Sequence, residues 1–342
     1  MRRTARVALP LALLLATLAG CVHAEGSDGL RLGYFPNVTH AQALYGVQAG
    51  LYAEAMGNRS FEAVQFNAGP HALEALLAGQ VDATYVGPSP VISALAKTGD
   101  GMLRVVAGAA SGGARFIVRS DVQLGGDADY AGKAFASPQL GNTQDISLKD
   151  FLRQRGHTTT DRGGDVQVIN AAGPDILTLF LQKRVDGAWV PEPWATRLER
   201  DGGGRELVDE RDLWPGGRFA TTLLVTSARY LERHPDRVRA LLEAHVQATD
   251  AVAAGGEATL QAINDGMEAA TGKSLPMDLL RAASTQINFT NDPLPASLAA
   301  FGDKARGLSL LRDELPPLAR VVALDILNEV LARHGRAGVS PP

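Results

Sequence analysis

The residues best placed for chemistry stand in the stretch SPQLGNTQDISLKDFL, residues 137–152. An apolar, strand-like run ending at Ala136 gives way to a loop carrying Gln139, Asn142, Thr143 and Gln144, and a helix-patterned segment follows at once. A helix N-terminus presents unpaired backbone N–H groups and the positive end of the helix dipole. A glycine in the loop lets the backbone approach closely, while amides and a hydroxyl add neutral donors. Together such groups hold an anion. No Lys or Arg is needed, because several aligned dipoles stabilise an oxyanion without burying an unmatched positive charge. A plainer reading competes, in which Asn142, Thr143 and Asp145 only cap the helix.

Other loops carry similar groups. Asn37, Thr39 and His40 follow the first strand-like run, and His40 either donates to an oxyanion or packs in the first helical turn. Ser89 sits between two prolines in GPSP, stiff enough to aim its hydroxyl, or acts as a helix cap. Ser111 and Gly112, with Gly113, form a bend that serves as a hinge or as a close backbone approach to ligand. In VPEPW, Trp194 suits an aromatic wall, whereas Trp189 reads as core. Glu192 would repel an anion. It is expected to pair with Arg197, to sit at a helix N-terminus, or to receive the amine of a zwitterionic ligand. His71, His157, His234, His245 and His334 lack metal-ligand spacing and read as surface residues, and no H-E-x-x-H motif occurs. MEAATGKS only mimics a phosphate loop, since Met267 stands where the first glycine is required.

The elements that must position these loops appear twice. NAGPHALEALLAGQVDATYVGPSP (67–90) echoes NAAGPDILTLFLQKRVDGAWVPEPW (170–194). In each, a proline opens a helix where its missing N–H costs nothing. Leucines or a phenylalanine at i, i+3 and i+4 follow, then Val-Asp before a short apolar strand. Upstream, Pro36 precedes Pro70 by nearly the interval that separates Pro138 from Pro174. The pattern predicts an α/β chain of two related lobes, each a mostly parallel sheet flanked by helices. Lobe 1 is expected over 30–117 plus 219–335, with lobe 2 inserted over 118–218. The crevice beyond the carboxyl ends of the strands is where ligand would bind.

The chain has 342 residues and a formal net charge of −4, with no basic run, which argues against nucleic-acid binding. Residues 1–20 read as a signal peptide: arginines, an apolar core too short for a membrane span, then small residues. LAGC resembles the lipobox of bacterial lipoproteins, making Cys21 the expected lipidation site and 21–29 a tether. The body would then be exported and held at the outer face of the cell membrane. Cys21 is the single cysteine. That excludes intrachain disulfides, cysteine zinc sites and a cysteine nucleophile in the folded body.

LRLGYFPNVTHAQAL, NAGP, GPSPVI, ASPQLGNTQD, DGAWVPEPWATRL and DERDLWP together resemble the solute-binding proteins of ABC importers for aliphatic sulfonates, with nitrate and taurine receptors as relatives. The resemblance runs from about residue 30 to 310. It implies a two-lobed periplasmic-binding-protein-like fold (type II), no catalysis, no cofactor and no metal. It also implies a monomer that delivers a small organosulfonate or related oxyanion to an ABC permease and its ATPase. Two alternatives differ in class. An enzyme on the same fold, of the pyrimidine-synthesis kind, would need a nucleophile or acid–base cluster, and none is visible. A ligand-sensing receptor subunit would use the same cleft.

Overall fold

The computed structural model describes residues 29–342, so the signal segment, Cys21 and nearly all of the tether lie outside the described residues. The chain begins with β1 (Gly29–Tyr34), β2 (Ser60–Gln65), β3 (Ala83–Val86) and β4 (Leu103–Gly112). It continues with β5 (Ala114–Arg119), β6 (Ala134–Ser137), β7 (Gln167–Asn170), β8 (Gly187–Pro191) and β9 (Gly204–Asp209). β10 (Ala220–Ser227) and β11 (Ile287–Phe289) complete the set. They form two sheets, ordered β11-β4-β10-β3-β1-β2 and β7-β6-β8-β5-β9.

The internal echo is visible in this topology. β2-β1-β3 and β7-β6-β8 have the same spatial order and are parallel throughout. A helix opened by Pro70 (Gly69–Leu77) leads into β3, and one opened by Pro174 (Gly173–Leu181) leads into β8. The sheets are mixed rather than mostly parallel. β10 pairs antiparallel with β3 and β4, and β5 pairs antiparallel with β8 and β9. Strand direction follows from how the chain crosses between the sheets, which local sequence does not encode.

Gly113 alone separates β4 of the first sheet from β5 of the second. Gly112 and Gly113 have φ of 74° and 70°, in the left-handed region that favours glycine, and a Cβ on Gly113 would lie 2.5 Å from Ile287 Cγ1. The return crossing runs through residues 210–219, where Trp214 stacks on Phe219.

Alternate residues of the second sheet feed opposite faces, the period-2 signature of strands buried on both sides. Phe116, Val118, Phe135 and Trp189 pack in one cluster, and Ile117, Ala136, Ala188 and Val190 in the other. The helices Pro235–Ala254, Glu257–Thr271 and Asp325–Arg333 contribute Leu241, Ile263 and Leu327 to the core of the first sheet. Two histidines expected at the surface are buried instead. His245 Nδ1 bonds Tyr85 Oη at 2.6 Å inside this core, and His157 bonds Asp165 at 2.8 Å beside Tyr130. Among the described residues no helix is long and apolar enough to cross a membrane.

Candidate ligand-binding cleft

A cavity of about 470 Å³ opens between the two sheets, lined by the loops that leave the carboxyl ends of their parallel strands. Phe35, Asn37, Thr39 and His40 come from the loop after β1, and Asn67, Ala68 and His71 from the loop after β2. Across the gap, the loop after β6 gives Pro138, Gln139, Leu140, Asn142, Thr143 and Gln144. β7 and the turn after it give Asn170 to Gly173, and the end of β8 gives Val190 and Pro191, followed by Trp194. Gly87 and Thr221 also line the space.

No Asp, Glu, Lys or Arg of the described residues lines this cavity. Several of its amide, hydroxyl and imidazole groups are held so that one donor is left over. Thr39 gives both its backbone N–H (3.1 Å) and its hydroxyl (3.2 Å) to Asn37 Oδ1, which leaves Asn37 Nδ2 as the free end of the amide. His40 Nδ1 accepts from Phe35 N at 3.3 Å, so the ring proton belongs on Nε2. Burial lowers the His40 pKa to about 3, so it is a neutral donor near pH 7. Its ring stacks on Phe35, with centroids 4.4 Å apart.

In the other lobe, Asn142 does not cap its own helix, Thr143–Gln154. Its Oδ1 instead accepts from Gly69 N at 3.3 Å, on the first residue of a helix in the opposite lobe. Thr143 Oγ1 likewise accepts from Ser89 N at 3.4 Å, in the first turn of the Pro88–Thr98 helix. Both side chains therefore link the lobes, while the Asn142 amide nitrogen and the Thr143 hydroxyl hydrogen remain to donate. Gln139 Nε2 lies 3.4 Å from His71 Nε2, a third inter-lobe contact. Asp145 supports the loop from behind. Its buried carboxylate accepts from Gly141 N (3.0 Å), Lys149 Nζ (2.9 Å), Ser137 Oγ (3.0 Å) and Asn170 Nδ2 (2.8 Å).

Of the residues singled out from sequence, Asn37, Thr39, His40, Gln139, Asn142, Thr143, Gln144 and Trp194 line the cavity. Four do not. Ser89 reaches Thr143 through its backbone N–H, and its hydroxyl is buried without a partner among the described residues. Ser111 Oγ accepts from Phe219 N at 3.3 Å, and the Gly112 carbonyl accepts from Thr221 Oγ1 at 2.6 Å, so both serve the join between β4 and β10. Glu192 is fully buried and pairs with Arg115 (Oε1 to Nη2, 2.7 Å), while Thr196 N donates to its Oε2 at 3.1 Å. Burial pushes its carboxyl above the usual range, against the pull of Arg115. Arg197, its expected partner, pairs with Asp201 instead.

Sequence reasoning missed Asn67, His71 and Asn170. The signal was present: NAGP and NAAGP occupy matching places after β2 and β7, a third pair of loops at the same crevice.

Residues 23–264 match the NMT1-like family. The taurine-binding periplasmic protein of Escherichia coli strain K12 is 25% identical over 184 residues, which are 54% of this chain and 55% of that protein. The chain spans about half to two thirds of the length of the curated relatives it matches. The alkanesulfonate-binding protein SsuA from Xanthomonas axonopodis pv. citri, solved bound to MOPS, superposes with a TM-score of 0.71 at 22% identity, covering 87% of this chain and 98% of that one. The periplasmic nitrate-binding protein NrtA from Synechocystis PCC 6803 gives 0.71 at 14% identity, covering 90% and 89%. The fold is that of these periplasmic binding proteins. With two mixed α/β sheets around a shared crevice and the family match running through most of its length, the chain belongs to the NMT1-like family.

Proposed function

We propose that this protein is an extracytoplasmic solute-binding protein that captures a small organosulfonate or related oxyanion between its lobes and delivers it to an ABC permease with its ATPase. The expected boundary at 117/118 would split β5, so in this reading the crossing moves to Gly113: residues 30–113 plus 220–335 form one lobe and 114–219 the other. Lipid on Cys21 holds the body at the outer face of the membrane. The observation that carries the reading is the convergence of amide, hydroxyl and imidazole donors from both lobes on one cavity that no Asp, Glu, Lys or Arg of the described residues lines. A sulfonate head is ionised at every physiological pH and offers three acceptor oxygens. Each hydrogen bond to such a charged group contributes about 1.5–3 kcal/mol. Donors on both sides must reach the same head group, so binding favours the closed arrangement.

The test is a thermal-shift screen of the full-length protein against alkanesulfonates, sulfate, nitrate, phosphonates and carboxylates. A ligand at a hundredfold its Kd stabilises by about 2.7 kcal/mol, so a sulfonate should raise the melting temperature clearly. A flat response to every anion contradicts the reading.

A further inference from the structure

We infer that the cleft selects sulfonates with an uncharged apolar tail and rejects those bearing an ammonium group; this rests on the sulfonate reading above. An ammonium moved from water into a closed cleft needs a negative partner, and an unmatched buried charge is strongly disfavoured. The two carboxylates nearest in sequence to the lining are both committed elsewhere. Glu192, next to Pro191, is enclosed with Arg115 Nη2 at 2.7 Å and Nε at 3.0 Å. Asp145, next to Gln144, is enclosed with Lys149 and three further donors. Glu192 holds Arg115 through Oε1 and accepts from Thr196 N at Oε2, while Asp145 holds Lys149 through Oδ2 and accepts from Ser137 and Asn170 at Oδ1, so both oxygens of each are already engaged inside the protein.

What the cleft offers in place of an anion is apolar or neutral. Phe35 from one lobe and Leu140, Val190 and Trp194 from the other line it with apolar surface suited to methylene groups. Trp194 is a poor cage for a second cation, because the Arg197 guanidinium already lies 5.2 Å from its ring centroid. Gln139 Oε1 is buried without a partner among the described residues and could accept one N–H, but a neutral amide oxygen leaves the charge uncancelled.

Two ligands of nearly equal shape test the inference. Propane-1-sulfonate and taurine differ by a methyl group in place of an ammonium. Calorimetric titration of the full-length protein should find propane-1-sulfonate bound at least about tenfold more tightly. Ala172→Asp supplies the missing charge: Ala172 is exposed, lines the cleft, and is the N-cap of Gly173–Leu181, where aspartate is favoured. It should weaken propane-1-sulfonate binding and narrow the ratio. Taurine binding as tightly as its isostere, or an unchanged ratio in Ala172→Asp, overturns the inference and leaves the sulfonate reading standing. Failure of both ligands, with sulfate and nitrate failing too, overturns the sulfonate reading itself.

Discussion

Asn37 and Asn142 show how a neutral side chain is made into a reliable donor. In each, the amide oxygen is occupied, by Thr39 in one case and by Gly69 N in the other, so the nitrogen is what remains for a ligand. A guanidinium in the same place would hold an anion more strongly but would sit unmatched whenever the cleft was empty. Among the described residues, the buried Arg115 is matched by Glu192, Glu199 and Glu206. Arg115→Met should therefore destabilise the fold by about 3–5 kcal/mol, since it strands a buried carboxylate. Glu192→Gln should cost less, about 1–3 kcal/mol. Urea unfolding measures both, and ligand affinity of the folded Glu192→Gln protein should match wild type. A large affinity loss there would return Glu192 to the binding site. Sequence could not assign this residue because its partner lies 77 positions away, with no local pattern joining them.

Among the elements, the legible parts were those built from local rules. Proline at the helix start, the i, i+3, i+4 stripe and Val-Asp before a strand recur in both copies, and each became helix and parallel strand as the periodicity predicts. β5 and β10 were legible as strands, but their antiparallel pairing depends on where the chain crosses between sheets. The crossing at Gly113 makes a prediction at this scale. Gly113→Ala places a Cβ against Ile287 at a φ of 70°, so it should cost about 1–3 kcal/mol in chemical denaturation. A neutral effect would show that the crossing backbone relaxes freely.

For the whole molecule, the lobes also meet away from the cleft. Arg162 of the second lobe donates to the Leu308 carbonyl, and Lys304 lies 3.9 Å from Asp150. Closing over a ligand therefore engages two separated contact zones. Stability should also depend on pH. Burial lowers His40 to about 3 and His245 to about 4, whereas both titrate near 6.5 in the unfolded chain. The unfolded state thus takes up more protons below pH 6.5, and stability is lost progressively from there toward pH 4. His157 works the other way: burial opposes it, but the Asp127 carbonyl and Asp165 raise its pKa. Among the histidines, two lowered against one raised predict a loss, opposed at the acid end by the buried Glu192 and Glu210 carboxyls that burial raises. His245→Gln should flatten the profile measured by thermal unfolding between pH 7 and 4.5. The central claim is that both lobes grip one head group, and titration calorimetry with a single alkanesulfonate tests it most directly on wild type, Asn37→Ala and Asn142→Ala. Each variant is predicted to lose about 1.5–3 kcal/mol of binding free energy; wild-type affinity in either one would contradict the two-sided grip.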